Sequence, residues 1–293
     1  MHALHTQHTT LIGAADLAQH LADPHWVILD CRHDLMNPDA GRAAFAAGHI
    51  QNAQFAHVDL DLSGPQIGAD GKFHGRHPLP ERALLLETLR RWGINDDTQV
   101  VAYDAHGGMF AARLWWLLRW IGHAQVAVLD GGLAAWQARA DGSSRQLVTP
   151  VAGSPARGNI TERPTLTRTV AVADVLANLD SHECTVLDAR APERFRGENE
   201  TIDPVGGHIP GAKNRFFKDN LQADGRFKSG VELKHEFAPL LTSPAKAIMQ
   251  CGSGVTACHN LLALELAGLH GAALYPGSWS EWCADPARPV GTS

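Results

Sequence analysis

Val27-Ile28-Leu29-Asp30-Cys31-Arg32 and Thr185-Val186-Leu187-Asp188-Ala189-Arg190 are one motif written twice. In each, a short apolar run without polar alternation ends in Asp, and Arg follows two residues on. Such a run reads as a strand buried on both faces. Outward from it, Gly48-His49-Ile50 follows in the first half and Gly207-His208-Ile209-Pro210-Gly211-Ala212 in the second. Asp30 and His49 are 19 residues apart, Asp188 and His208 are 20 apart. Each half then has a further apolar run, Val100-Val101-Ala102-Tyr103-Asp104 or Ala247-Ile248-Met249-Gln250-Cys251. A helix-like stretch ends at Gly122 or Gly268, 18 residues past Asp104 and 17 past Cys251. A closing strand comes last, in Val126–Gly132 and Ala272–Ser278, and Trp136 and Trp282 sit 32 and 31 residues past the same anchors. Agreement within one residue at every landmark marks an internal duplication.

Helical patterns such as Leu84–Leu89 and Leu261–Leu266 lie between the apolar runs. Strands alternating with helices predict an α/β fold, each half a parallel β-sheet with helices on both faces. Asp141–Pro164 is rich in Gly, Ser, Pro and Arg and lacks periodicity. The expected division is a first domain at 1–145, a linker at 146–164 and a second domain at 165–293. The length of 293 residues suits two domains of roughly 150. With 25 basic and 31 acidic side chains the net charge is −6, which gives no broad pull towards nucleic acid or an anionic membrane. No apolar run approaches the roughly 18 residues of a membrane helix, and the start has no basic stretch leading into an apolar one. Five cysteines in a chain this long do not make a disulfide scaffold. The expectation is a reduced, cytoplasmic protein.

Ligands of open α/β sheets bind outside the carboxyl ends of the strands. Cys251-Gly252-Ser253-Gly254-Val255-Thr256-Ala257 stands there, between a strand and a helix. Its two glycines let the backbone curl so that N–H groups converge on one spot, and the helix adds its positive end. Such a cup favours a thiolate over a thiol and suits any anionic sulfur or oxygen attached to Cys251. Cys258, seven residues on, is about 10.5 Å along an intact helix, too far for a disulfide. It reads as core packing, as do Cys31, Cys184 and Cys283. The equivalent of Cys251 in the first half is Asp104, which has no thiol. Asp30 and Asp188 read as structural loop anchors.

Gly207–Ala212 and Tyr275-Pro276-Gly277-Ser278-Trp279-Ser280-Glu281-Trp282 resemble the two signatures of the tandem rhodanese-domain sulfurtransferases. The likeness spans nearly the whole chain. The loop Cys-Gly-Ser-Gly-Val-Thr resembles the 3-mercaptopyruvate branch; the thiosulfate branch carries Arg-Lys after the cysteine, where this chain has Gly252 and Ser253. The resemblance implies two rhodanese-like domains, the first non-catalytic, and a cycle through a Cys251 persulfide. The donor is a small molecule, and the acceptor is a small thiol, cyanide or a thioredoxin-like protein. No cofactor and no metal are implied. The loop backbone at Gly252, Gly254, Val255 and Thr256 would cradle the persulfide. A relay of Ser253, His77 and Asp59 would protonate the departing enolate, with His77 and Asp59 drawn from the first half. Arg194, in Glu193-Arg194-Phe195-Arg196-Gly197, matches the family's substrate arginine. The branch usually has a second arginine a few residues on, but Glu198–Pro204 has none; Arg215 or Lys213 is left to substitute.

Thiosulfate:cyanide transfer through the same persulfide is the alternative activity. A cysteine phosphatase on this fold would need arginine six residues after the nucleophile, where Ala257 stands. A non-catalytic binding module would need no intact nucleophile loop. The 17 histidines include possible half-sites at His74/His77 and His5/His8, but no Cys-x-x-Cys or His-Glu-x-x-His is present.

Overall fold

The computed structural model describes residues 7–138, 144–149, 153 and 155–292. Its contacts define two units: residues up to Asp61 with Glu81–Leu166, and Leu62–Pro80 with the chain from Thr167 onward. The first unit holds strands β1 (Leu11–Ile12), β2 (Trp26–Asp30), β3 (Gln54–Phe55), β4 (Gln99–Tyr103) and β5 (Val126–Leu129). They form one sheet in the order β1-β5-β4-β2-β3, every neighbour parallel. The second unit holds β6 (Arg168–Thr169), β7 (Thr185–Asp188), β8 (Lys213–Asn214), β9 (Ala247–Gln250) and β10 (Ala273–Leu274). Their order, β6-β10-β9-β7-β8, again all parallel, is the same topology. The duplication read from the sequence is thus a duplication of folded units.

The central strands β4 and β9 are buried along their whole length, as continuous apolar runs require. The helices that follow them, Ala111–Trp120 and Thr256–Leu266, are buried on nearly every side, so neither shows a clean polar face. Trp136 closes the core of the first unit with Ile28, Val101 and Leu129; Trp282 closes that of the second with Val186, Ile248 and Tyr275.

The duplicated Asp-x-Arg and Gly-His motifs have one mechanical role. Asp188 accepts from the Arg190 backbone N–H at 2.9 Å and from its Nη2 at 2.7 Å. The same Nη2 donates to the Gly207 carbonyl at 2.6 Å, and His208 reaches the Phe195 carbonyl at 2.8 Å while stacking on the Phe195 ring. Asp30, Arg32, Gly48, His49 and Phe45 repeat every one of these contacts. A buried ion pair therefore ties the end of β2 or β7 to the Gly-His turn, which explains the nearly constant Asp-to-His spacing. Asp30 and Asp188 are anchors and not catalytic acids.

The division of the chain is less simple than a cut at a linker. Residues 62–80 pack with the second unit although they precede half of the first. Of the linker placed at 146–164, residues 150–152 and 154 lie outside the described residues, as do His2 and His5. The rest of it belongs to the first unit: Gly158 N–H donates to the Arg90 carbonyl at 2.8 Å, Ile160 N–H to that of Ile94 at 3.1 Å, and Ile160 is buried. Glycine and proline here mark an irregular but packed segment, because its backbone bonds go to the end of the helix Arg82–Arg91 and the turn after it, not into a helix or sheet of its own. Among the described residues no helix is long and apolar enough to cross a membrane.

Candidate active site

Cys251 directly follows the central strand β9 and is 2 % exposed. Gly254 N–H points at its Sγ from 3.1 Å. That geometry needs glycine at 254: φ is +76°, and a Cβ there would lie 2.4 Å from the Pro276 carbonyl oxygen. The helix Thr256–Leu266 begins two residues later, so its positive end faces the loop. Cys258 donates its S–H to the Gly254 carbonyl at 3.3 Å, which holds the same turn.

The loop is braced by the segment Tyr275–Trp282. The Cys251 N–H donates to Ser278 Oγ at 3.1 Å, and Ser278 Oγ donates to the Tyr275 carbonyl at 2.9 Å. Trp279 and Ser280 donate their N–H groups to the carbonyls of Cys251 and Gly252, each at 2.9 Å. Ser278 holds φ at +54° without being glycine, a strained conformation that these bonds over-determine. The stretch that carries the family resemblance is thus also the brace of the Cys251 loop, a role without a signal in the sequence.

The segment 62–80 docks on the same turn. Arg76 N–H donates to Ser280 Oγ at 3.1 Å. Gly75, with φ at +97°, leaves no room for a Cβ beside the Gly277 carbonyl, which would lie 2.7 Å away. This docking places His77, which is buried, with Nδ1 2.7 Å from Ser253 Oγ. His77 was expected from the first half by order in the chain; it sits in the second unit, with Cys251. Asp59 falls in the first unit, where its carboxylate lies 3.9 Å from His33 Nε2.

Two guanidinium groups stand over Gly252. A Cβ built there would be 2.8 Å from Arg76 Nη2 and 3.7 Å from Arg194 Nη1. Glu200 accepts from Arg194 Nε and Nη2. Asp203, with its side chain buried, divides its two oxygens: Oδ1 takes Arg76 Nη1 and Oδ2 takes Arg194 Nη2 at 3.0 Å. Burial works against the Glu200 charge, yet the Arg194 bonds and the N–H groups of Asp203 and Ile202 hold its carboxyl below the ordinary glutamate value. Arg215 is not part of this group. Its guanidinium is turned into a buried network with Asn220 at 3.0 Å and Glu236 at 2.7 Å, over the Phe237 ring. Lys213 likewise spends its ammonium on the Leu240 carbonyl, at 2.9 Å. Both cations are thus engaged by the segment 219–240 that follows β8. Arg76 was visible beside His77, but nothing in spacing along the chain brings residue 76 to residue 252.

The first unit has the equivalent loop, longer by two residues before its helix begins, with a different occupant. Asp104, fully buried, accepts N–H bonds from His106 at 2.7 Å, Gly108 at 3.0 Å, Phe110 at 2.7 Å and Ala111 at 2.9 Å. Its carboxylate oxygens lie three bonds from Cα, as the outer sulfur of a cysteine persulfide does. The loop after the central strand is therefore a ready anion cradle at that reach. Two other thiols are raised: burial, with Asp104 and Asp30 adding, pushes the Cys31 thiol well up, and burial pushes Cys283 up to about 11. Such thiols are poor nucleophiles.

A family model for the rhodanese-like domain matches residues 13–139 and again 171–285. A Pseudomonas aeruginosa protein named "Probable 3-mercaptopyruvate sulfurtransferase" is 46% identical over 286 residues, covering 96% of this chain and 98% of that one. The thiosulfate sulfurtransferase of Gallus gallus is 33% identical over 82% of this chain and 80% of its own. Among solved structures, 3-mercaptopyruvate sulfurtransferase from Leishmania major superposes with a TM-score of 0.81 at 28% identity, over 94% of this chain and 74% of that one.

Proposed function

The chain belongs to the rhodanese-domain family, and from that premise we propose that it is a sulfurtransferase that takes sulfur from 3-mercaptopyruvate onto Cys251. The observation that carries this reading is Cys251 Sγ at the end of the central strand, with Gly254 N–H aimed at it from 3.1 Å. The Cys251 thiolate attacks the donor's sulfur. The Sγ–S bond forms, the donor's C–S bond breaks, and the electron pair leaves on pyruvate as its enolate. A proton delivered through Ser253 and His77, 2.7 Å apart, turns the enolate into pyruvate. The persulfide's outer sulfur then occupies the cradle that Asp104 fills in the other unit, held as an oxyanion hole holds its charge. An acceptor thiol, a thioredoxin-like thiol or cyanide attacks that sulfur and returns Cys251 as thiolate. Asp59 is the third relay member that the family likeness implies, and Asp59→Asn, with a loss of mercaptopyruvate turnover as the expected result, tests it.

Thiosulfate as donor is the second reading, favoured by relatives such as the chicken enzyme. The charges around Gly252 speak against it. Arg76 and Arg194 are balanced by Glu200 and Asp203, so the cluster offers a dianion no net attraction. A monoanionic carboxylate needs only directed hydrogen bonds. The five cysteines are all unpaired, in keeping with the reducing cytoplasm in which we place the protein. The test is kcat/KM for mercaptopyruvate and thiosulfate side by side, with cyanide as acceptor. A preference for mercaptopyruvate of about tenfold or more is expected; a preference for thiosulfate overturns the donor assignment.

A further inference from the structure

We propose that Arg76 is the second donor-binding arginine of this enzyme, gripping the donor's carboxylate together with Arg194. The inference rests on the mercaptopyruvate reading above and deepens it. The segment after Arg194 lacks an arginine and carries Glu200 and Asp203 instead. Asp203 is placed between the two guanidiniums, one oxygen to each. It thereby fixes Arg76, from a distant part of the sequence, against the same backbone spot as Arg194.

The unused edges of the two groups converge. Arg76 spends Nη1 on Asp203, and Arg194 spends Nε and Nη2 on Glu200 and Asp203. Arg76 Nη2 and Arg194 Nη1 remain directed at Gly252, at 2.8 and 3.7 Å from where a Cβ would stand. That residue is adjacent to the nucleophile. Arg76 is itself fixed at its backbone by Ser280 and is only partly exposed, so its position owes little to solvent. Two donors over the same backbone atom, next to the attacking residue, match the two oxygens of a carboxylate whose β-carbon bears the sulfur to be transferred. Glycine at 252 follows from the same geometry, because any side chain would displace Arg76 Nη2. In this arrangement Arg76 touches substrate, and Asp203 is a positioning residue.

Arg76→Lys keeps the charge and the pairing with Asp203 but cannot span to Gly252 at the same time. The expected result is a KM for mercaptopyruvate raised about tenfold with kcat within about threefold, and thiosulfate kcat/KM within about threefold. Arg76→Gln, which also removes the charge, is expected to raise that KM about thirtyfold or more. A mercaptopyruvate KM within about twofold of the wild-type value in both variants overturns the role. So does a loss of equal size with both donors accompanied by a fall in Tm, which marks a structural part. If one variant does not fold, the other decides by the same criteria. A wild-type enzyme that ignores mercaptopyruvate overturns the donor reading and this role with it; unchanged variants of an active wild type overturn this role alone.

Discussion

The chemistry turns on a few side chains whose neighbours decide what they can do. Cys251 is a nucleophile by position: a glycine N–H, a helix end and a braced backbone converge on its sulfur. Replacing it with serine should remove turnover with every donor, and substantial residual activity would sink the assignment. Ser253 and His77 have a narrower task. If they only deliver a proton to the enolate, Ser253→Ala should lower kcat with mercaptopyruvate by about a hundredfold or more, and thiosulfate turnover by less than about tenfold. Equal losses with both donors would discredit the relay. Asp203 sets the charge balance beside the nucleophile. Asp203→Asn leaves that cluster one charge more positive, so the ratio of mercaptopyruvate to thiosulfate kcat/KM should fall by about threefold or more. An unchanged ratio would mean that local charge does not choose the donor.

At the scale of elements, the strand ends and their tight turns carry both the stability and the site. The Asp188–Arg190 pair is buried, bidentate and bonded to the Gly207 carbonyl. Asp188→Ala leaves the Arg190 guanidinium buried without its main partner, and should cost about 3 kcal/mol or more in denaturant unfolding; a loss below about 1 kcal/mol would contradict the anchoring role. These elements were legible in the sequence because their signals are local. Continuous apolar runs gave the buried parallel strands, and glycines beside a cysteine gave the tight turn in which Gly254 N–H meets its sulfur. The docking of residues 62–80 was not legible, since the bond from Arg76 N–H to Ser280 Oγ joins positions 204 apart. The Thr256–Leu266 helix was legible as a helix, but its burial on nearly every side left no stripe to mark which face meets the core. Arg215 was misread for the complementary reason: a cation near a motif is a poor guide when Glu236 and Asn220 lie closer to hand.

Across the whole molecule, one folded plan is used twice, with Asp104 in one copy where the other has Cys251. The loop after β4 closes on Asp104, and the loop after β9 leaves its cradle to whatever sulfur Cys251 carries. A carboxylate plug satisfies four N–H groups and offers no thiol in their place. Asp104→Ala should therefore destabilise the first unit by about 3 kcal/mol or more, read as an early unfolding step, while kcat stays within about twofold. A large change in kcat at full stability would show that the plugged loop takes part in turnover. The central claim is that Cys251 carries the sulfur that mercaptopyruvate gives up. Intact-protein mass spectrometry after brief exposure to mercaptopyruvate, with no acceptor present, tests this most directly. The account predicts a gain of one sulfur atom, mapped to the peptide containing Cys251, erased by cyanide and missing from Cys251→Ser. A persisting gain in Cys251→Ser, or none in the wild type while pyruvate is released, would contradict it.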